Sequence, residues 1–196
     1  MSAQLFSHSQ IFIAGIDEVG RGCLFGPVVA AAVVFEKENI FQLQEIGVKD
    51  SKQLSAKRRE TLATEIKNRA ISYYISYASS QEIDRLNILN ASLLAMERCV
   101  KKLSVVPQLC LVDGNKKIPN LIIPQETIIG GDRISPLIAA GSILAKVWRD
   151  QLIIRLAAKY PYYDLENNKG YGTKKHRLAL QKYGSCFHHR HSFKLC

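Results

Sequence analysis

A long apolar helix, expected after Ser135-Pro136, limits the folds open to this chain. Serine followed by proline is a common helix start, because the serine side chain caps the first turn and proline suits the first helical position. The pattern continues to about Ala158, and its first half is apolar nearly all round. A helix without a polar face has to be covered on every side, so we predict that it lies deep in the core of a layered domain.

Four apolar runs have the length and composition of β-strands. They cover Ile11–Ile16, Val28–Phe35, Ile71–Tyr77 and Leu109–Val112. A glycine-rich turn from Gly20 to Pro27 joins the first two runs.

Helical segments separate or follow these strands. We predict one over residues 55–69 with Ser55 as its cap, one from the Ser79/Glu82 capping box to Val100, and one from Thr173 to Tyr183. Strands that alternate with helices in this way indicate an α/β fold with a mixed sheet flanked by helices. No linker divides the chain, so we predict one domain over residues 1–196, with 165–196 as a basic, helical C-terminal segment.

The charge of the chain is unevenly distributed and favours a polyanionic partner. The formal net charge is +10, and residues 113–196 carry 14 Lys and Arg against 6 Asp and Glu. Such a field is typical of proteins that bind nucleic acid. No apolar run approaches the roughly 20 residues of a membrane span, and the N-terminus MSAQLFSHSQ lacks the features of a signal peptide. We therefore expect a cytoplasmic protein without membrane contact.

Five scattered cysteines are the last informative feature of the composition. They show neither CxxC nor Cys/His spacing, which argues against a disulfide framework and against a zinc site. We expect reduced thiols at Cys23, Cys99, Cys110, Cys186 and Cys196.

Several carboxylates lie against apolar segments. Asp17 and Glu18 follow the first strand, Asp113 follows a later strand, and Asp132 precedes the buried helix. Each of them could be a helix cap or an ion-pair partner, and Asp150, beside an arginine within the helix, is assigned to that structural role. Carboxylates that meet at strand ends repel one another, and hard divalent cations such as Mg²⁺ or Mn²⁺ relieve that repulsion. Two such ions can hydrolyse a phosphodiester without a protein nucleophile.

Ordered blocks of residues from 13 to 193 resemble ribonuclease HII, the type 2 ribonucleases H. The blocks are Gly15-Ile16-Asp17-Glu18-Val19-Gly20-Arg21-Gly22, Gly26-Pro27-Val28-Val29, Lys49-Asp50-Ser51-Lys52, Val112-Asp113-Gly114, Gly131-Asp132, Ser142-Ile143-Leu144-Ala145-Lys146-Val147 with Arg149-Asp150, Asn168-Lys169-Gly170-Tyr171, His176, and His189-Arg190 with Ser192-Phe193. They follow the family's order along almost the whole chain.

The resemblance implies a ribonuclease H-like fold, with a mixed five-stranded sheet, flanking helices and a helical C-terminal part. It also implies that Asp17, Glu18, Asp113 and Asp132 are the catalytic, metal-binding residues, with two Mg²⁺ or Mn²⁺ ions as cofactors. Adjacent strand residues point to opposite faces of a sheet, so Asp17 and Glu18 can share a site only where the strand ends, twists or bulges. The glycines that follow them favour such an irregularity.

The expected substrates are RNA–DNA hybrids and DNA duplexes that contain single ribonucleotides. The resemblance implies that Gly20-Arg21-Gly22 senses the 2′-hydroxyl and that Tyr171 packs against the next deoxyribose. Backbone amides between glycines can bond a ribose hydroxyl, and an arginine can grip the neighbouring phosphate. Candidate phosphate contacts are Lys49, Ser51, Lys52 and Lys146, although Lys146 could equally pair with a catalytic carboxylate.

The histidines and a few unusual residues are harder to assign. His176 could contact substrate or support structure, and residues 188–191 suggest a basic surface run. Cys23, Phe25 and Trp148 depart from the residues usual in the family, as does Gly141, which costs about 1 kcal/mol in a helix interior.

The implied reaction is cleavage on the 5′ side of a ribonucleotide, which leaves a 3′-hydroxyl and a 5′-phosphate. The implied cellular role is the removal of single ribonucleotides from DNA and of RNA primers. The alternatives are a ribonuclease HIII-like hybrid nuclease, a non-catalytic nucleic-acid-binding module on the same fold, and a basic structural protein. An intact Gly20-Arg21-Gly22 motif, Tyr171 and the short segment before the first strand favour the HII type. We expect a monomer without a C-terminal partner-recruiting tail.

Overall fold

The computed structural model describes residues 10–195, so most of the N-terminal segment and Cys196 lie outside it. Five strands form one mixed sheet: β1 (Phe12–Val19), β2 (Val28–Glu36), β3 (Ser72–Ala78), β4 (Leu109–Asp113) and β5 (Gln125–Ile128). Their order is β3-β2-β1-β4-β5. The first three strands run antiparallel, whereas β4 lies parallel to both β1 and β5.

Helices pack on both faces of this sheet and extend beyond it. They are α1 (Phe41–Glu45), α2 (Ala56–Arg69), α3 (Ser80–Leu86), α4 (Ile88–Lys101), α5 (Gly131–Ile134), α6 (Pro136–Ala157), α7 (Leu165–Asn168) and α8 (Lys174–Tyr183). None of the helices in residues 10–195 combines the length and apolarity that crossing a membrane requires. The predicted α/β fold, with its five-stranded mixed sheet and flanking helices, is confirmed.

The long apolar helix α6 lies where the sequence predicts. Ser135 caps it by accepting a hydrogen bond from the amide of Ile138, and Pro136 is its first residue. Together with α2, the helix covers one face of the sheet, on which Ile13, Val29 and other alternate strand residues are buried. The opposite face packs against α4 around Ala14 and Ile16.

Glycine allows α6 to approach the central strand closely. A Cβ atom on Gly15 of β1 would lie 2.3 Å from the backbone carbonyl carbon and oxygen of Leu137 in α6. On the helix side, a Cβ on Gly141 would lie 3.1 Å from the carbonyl oxygen of Ala31. The unusual Gly141 therefore has a packing reason that offsets its poor helix propensity.

The secondary structure differs from prediction in a divided helix and in several elements that no predicted segment covers. The helix expected from Ser79 to Val100 is divided at Asn87, whose φ of 66° is left-handed and whose side chain caps α4 through the amide of Asn90. Because the asparagine side chain accepts the hydrogen bond of the first turn, the residue at which α3 ends also caps α4. The elements without a predicted segment are β5 and the short helices α1, α5 and α7.

A third hydrophobic cluster joins the C-terminal part to the turn between β1 and β2. Phe25 is fully buried there among α6, α8 and the segments around them, and its ring lies edge-on to His189 at a centroid distance of 5.1 Å. Trp148 stacks on Tyr77 of β3. These two departures from the family pattern are therefore accommodated by packing.

Burial corrects one prediction about this region. His189 and Arg190 were expected in a basic surface run, but both are fully buried, and only His191 of residues 188–191 is well exposed. Their polar atoms form hydrogen bonds to distant parts of the chain, which offsets the cost of removing them from water. The four described cysteines are free thiols, as predicted.

Candidate active site

A cavity of about 390 Å³ opens at the end of β1 and β4. All the predicted site residues except Lys49 line it: Asp17, Glu18, Gly20, Arg21, Gly22, Ser51, Asp113, Asp132, Lys146 and Tyr171, together with Lys52 and Ser142. Lys49 is exposed and lines a neighbouring depression, which Asp132 also borders. The structure thus brings together residues from six separate parts of the chain.

Three carboxylates form the centre of this cavity. Asp17, Glu18 and Asp113 each offer an oxygen, and these atoms all lie within 4.8 Å of one another. Asp17 is buried, and the side chain of Glu18 is only 8 % exposed. Oxygen-only donors at this spacing suit a hard divalent cation.

Asp17 and Glu18 meet because β4 is shorter than β1. The pairing of β1 with β2 continues without a bulge to Val19, whereas its pairing with β4 ends at Ile16 and Val112. Both acids therefore lie beyond the last rung on the β4 side, where side chains from opposite faces can approach each other. The two acids were expected after the first strand, but β1 runs through both of them to Val19 without a bulge, and it is the pairing with β4 that ends before them.

Electrostatic repulsion accompanies this arrangement. The pKa of Asp17 is raised well above its ordinary value, first by burial and then by the charges of Glu18 and Asp113. Burial also raises the pKa of Glu18, and the nearby guanidinium of Arg21 opposes that shift. Bound cations would reverse the penalty, so the donor set fits divalent metal ions.

Asp132, on α5, lines the same cavity but is not part of the group of three carboxylates whose oxygens lie within 4.8 Å of one another. It is buried, and its Oδ2 lies 3.1 Å from the Nζ of Lys52, whose side chain is largely exposed. The neighbouring amide of Gly131 donates a 2.7 Å hydrogen bond to Oδ1 of Asp113. This contact ties the start of α5 to the end of β4, so Asp113 and Asp132 are held on the same side of the cavity.

The Gly20-Arg21-Gly22 segment adjoins the acids directly. Arg21 donates a 3.1 Å hydrogen bond to Oε1 of Glu18, while about half of its side chain remains exposed. Tyr171 is 43 % exposed and also lines the cavity. An isolated β-bridge between Tyr171 and Cys23 places the backbone of Tyr171 beside the segment. The two predicted recognition elements are therefore neighbours.

Polar side chains on α6 complete the lining. Ser142 lies beside Asp17 and lowers the pKa of that carboxyl against the stronger raising effects, and its hydroxyl lies 3.0 Å from that of Ser51. Lys146 pairs with Asp150 at 2.9 Å, so Asp150 has the structural role expected of it. Lys146 is thus paired with this acid rather than with one of the four.

Sequence reasoning missed three residues that support the cavity. Ser142 and Arg149 were named only within blocks of the resemblance, and Arg190 was expected in a basic surface run. Both arginines are buried and hydrogen-bond backbone carbonyls of the turn between β1 and β2.

His176 has a structural contact in this region. Its ring is fully buried, and its Nδ1 lies 2.9 Å from the carbonyl oxygen of Tyr171. Of the two roles left open, the support of structure is the one that these contacts favour.

Comparison with known proteins identifies the family. Residues 14–196 match the family described as Ribonuclease HII. A ribonuclease HII of Trichormus variabilis is 58 % identical over 94 % of this chain and 82 % of its own length, and one of Acaryochloris marina is 59 % identical over 94 % and 93 %.

A solved structure agrees with these relatives. The ribonuclease H2 of Pyrococcus horikoshii superposes with a TM-score of 0.81 at 27 % identity, and the match covers 94 % of this chain and 95 % of that one. Family, fold and the acids at the strand ends thus agree, and the chain belongs to the ribonuclease HII family, whose members are hydrolytic nucleases of the ribonuclease H type.

Proposed function

We propose that the chain is an endonuclease that hydrolyses the RNA strand of RNA–DNA hybrids and cuts on the 5′ side of single ribonucleotides in duplex DNA. The observation that carries this proposal is the Arg21–Glu18 hydrogen bond, because it joins the segment proposed to sense the 2′-hydroxyl to the carboxylates proposed to do the chemistry. Membership of the family supports the ribonuclease H activity itself.

Asp17, Glu18, Asp113 and Asp132 would hold two Mg²⁺ or Mn²⁺ ions, with Asp17 and Asp113 shared between them. Their central position on β1 and β4 supports this assignment, since Asp17 is the most buried acid and Asp113 lies on the neighbouring strand. Two ions in such a site activate the attacking water and stabilise the leaving oxygen.

The protein's own groups would orient the substrate for that attack. Amides of Gly20 and Gly22 bond the 2′-hydroxyl, Arg21 holds the adjacent phosphate, and Tyr171 packs against the following deoxyribose. Lys52, Lys146 and, farther out, Lys49 contact phosphates along the strand. Water then adds to phosphorus as the bond to the 3′-oxygen breaks, giving a 3′-hydroxyl and a 5′-phosphate.

The HIII-like alternative is disfavoured by the family match, and the non-catalytic module by the presence of all four acids in one cavity. What separates the HII type from general hybrid cleavage is recognition of a lone ribonucleotide. In this recognition, Arg21 holds the phosphate adjacent to the ribonucleotide.

Replacement of Arg21 by alanine tests this assignment. We expect kcat/KM on a DNA duplex with one ribonucleotide to fall by about 10–100-fold, because a charge-assisted hydrogen bond contributes about 1.5–3 kcal/mol. The assay uses an end-labelled duplex with Mg²⁺, and product mapping locates the cut. Arg155→Ala is the matched control, since Arg155 is an exposed residue of α6 outside the cavity.

An all-DNA duplex of the same sequence should remain uncut. Equal cleavage of both duplexes, a cut on the 3′ side of the ribonucleotide, or full activity of the Arg21→Ala variant would contradict the proposal.

A further inference from the structure

Two buried arginines hold the backbone of the segment that contains Gly20-Arg21-Gly22. Arg190 donates from its Nε to the carbonyl of Gly26 at 2.9 Å, and from its two terminal nitrogens to the carbonyls of Arg21 and Gly20, each at 2.8 Å. Arg149 bonds the carbonyls of Pro27, Lys169 and Phe25 at 2.8–3.0 Å. A guanidinium suits this task because its donors form a rigid fork.

Burial makes these contacts decisive for the shape of the turn. Both side chains are at most 1 % exposed, and burial lowers the pKa of Arg190 to about 10, so it remains charged at neutral pH. Buried carbonyls need donors, and here each guanidinium satisfies three of them. Arg190 alone spans the turn from Gly20 to Gly26.

His189, the residue before Arg190, is connected to Tyr171 through a second histidine. The backbone amide of Cys186 donates to Nδ1 of His189 at 2.9 Å, so the proton of the neutral ring is on Nε2. That nitrogen lies 3.1 Å from Nε2 of His176, which must accept and therefore carries its own proton on Nδ1. Nδ1 of His176 then donates to the carbonyl of Tyr171 at 2.9 Å.

This chain of hydrogen bonds requires both rings to be neutral. Burial lowers the pKa of both histidines, that of His189 to about 4. With one proton on each ring, every nitrogen has a single role, so the direction of all three bonds is fixed. The position of Tyr171 is therefore coupled to the segment that carries His189 and Arg190.

We propose that the segment 186–190 is the scaffold that sets the selectivity of the enzyme for a lone ribonucleotide, with Arg190 and His189 as positioning residues. Arg190 fixes the backbone proposed to sense the 2′-hydroxyl, and His189 fixes Tyr171 through His176. The inference rests on the proposed function, because the segment and the tyrosine that this scaffold holds are the recognition elements of that function.

Selectivity is the property that this scaffold should control. A uniform hybrid offers a 2′-hydroxyl at every position, so a displaced turn can still find one. A duplex with one ribonucleotide offers a single register, and a misplacement of about 1 Å in a catalytic complex can cost a factor of about 100. Loosening the scaffold should therefore affect the two substrates unequally.

The test compares Arg190→Lys and His189→Gln with wild type on both substrates, with Mg²⁺ present. Lysine keeps the charge but cannot reach three carbonyls from a fixed fork, and glutamine interrupts the histidine relay. We expect each variant to lose at least about tenfold in kcat/KM on the single-ribonucleotide duplex but less than about threefold on the uniform hybrid. The quantity compared is the ratio of kcat/KM on the single-ribonucleotide duplex to kcat/KM on the uniform hybrid. Matched controls are Arg98→Lys, at a half-exposed arginine, and His191→Gln, at an exposed histidine, and both should leave this ratio unchanged.

Melting temperature and circular dichroism, measured on the same samples, separate positioning from general stability. If the variants are folded and keep the wild-type ratio within about twofold, even with a lower melting temperature, the residues are merely structural and the inference is overturned. If Arg190→Lys does not fold, His189→Gln decides by the same criterion. A wild-type enzyme that cuts hybrids but not the single-ribonucleotide duplex would instead refute the proposed function, and the inference with it.

Discussion

Asp17→Asn is expected to abolish hydrolysis and at the same time to stabilise the metal-free protein. The substitution removes the most buried carboxylate of the cluster, so activity should fall at least about a thousandfold, equivalent to about 4 kcal/mol of transition-state stabilisation. Stability should rise because the asparagine side chain carries no charge beside Glu18 and Asp113, whose charges together with burial raise the pKa of Asp17.

The stability gain should depend on pH with a definite sign. A carboxyl whose pKa is raised by folding stabilises the folded state at low pH, and this contribution is lost as the pH rises through the folded-state value. The free energy of unfolding of the variant should therefore exceed that of wild type most at neutral pH, and the difference should shrink in acid. Each kcal/mol of difference corresponds to roughly 2–4 °C in melting temperature.

Thermal melts in EDTA from neutral to acidic pH, together with hydrolysis assays, measure both effects. Glu65→Gln is a suitable control, because Glu65 belongs to an exposed i,i+4 pair with Arg69 that contributes little. Retained activity in Asp17→Asn, or a variant less stable than wild type at neutral pH, would contradict this account of the cluster.

Gly15→Ala is expected to destabilise the protein by about 2–4 kcal/mol. The new Cβ would meet the Leu137 backbone at 2.3 Å, and backbone atoms cannot rotate away as a side-chain end can. Helix α6 would have to separate from β1, which moves Ser142 relative to Asp17. Hydrolysis should therefore fall along with stability.

Gly22→Ala is the matched control for stability. A Cβ at Gly22 meets no atom within 4 Å, and its φ is not in the left-handed region. Urea unfolding of both variants and of wild type provides the comparison. Equal stability of the two alanine variants would show that β1 and α6 are not as tightly packed as the structure indicates.

The sequence was sufficient to predict elements whose signals are local. Ser135-Pro136 marks the start of α6, and the Ser79/Glu82 capping box marks α3, because each signal lies within one helical turn of the end it defines. β5 gave no such signal. It has four residues, none of them fully buried, and its identity as a strand depends on pairing with β4.

The residues that line the site could be predicted from the sequence, but the buried residues that hold them in place could not. The resemblance named the acids and the recognition residues, and the cavity contains them. Burial of His189 and Arg190 could not be inferred from their polarity, because it depends on carbonyls more than 160 residues away in the case of Arg190. Likewise, the meeting of Asp17 and Glu18 depends on where β4 ends, and no property of β1 specifies that point.

One measurement decides whether the carboxylate cluster is a metal-dependent hydrolytic centre. It compares cleavage of a uniform RNA–DNA hybrid by wild type and by Asp113→Asn, with Mg²⁺, with Mn²⁺ and with EDTA. We predict that wild type cuts with a divalent ion, that EDTA stops the reaction, and that Asp113→Asn is inactive with either metal while its circular dichroism is unchanged. Cleavage in EDTA, or undiminished cleavage by Asp113→Asn, would contradict that assignment.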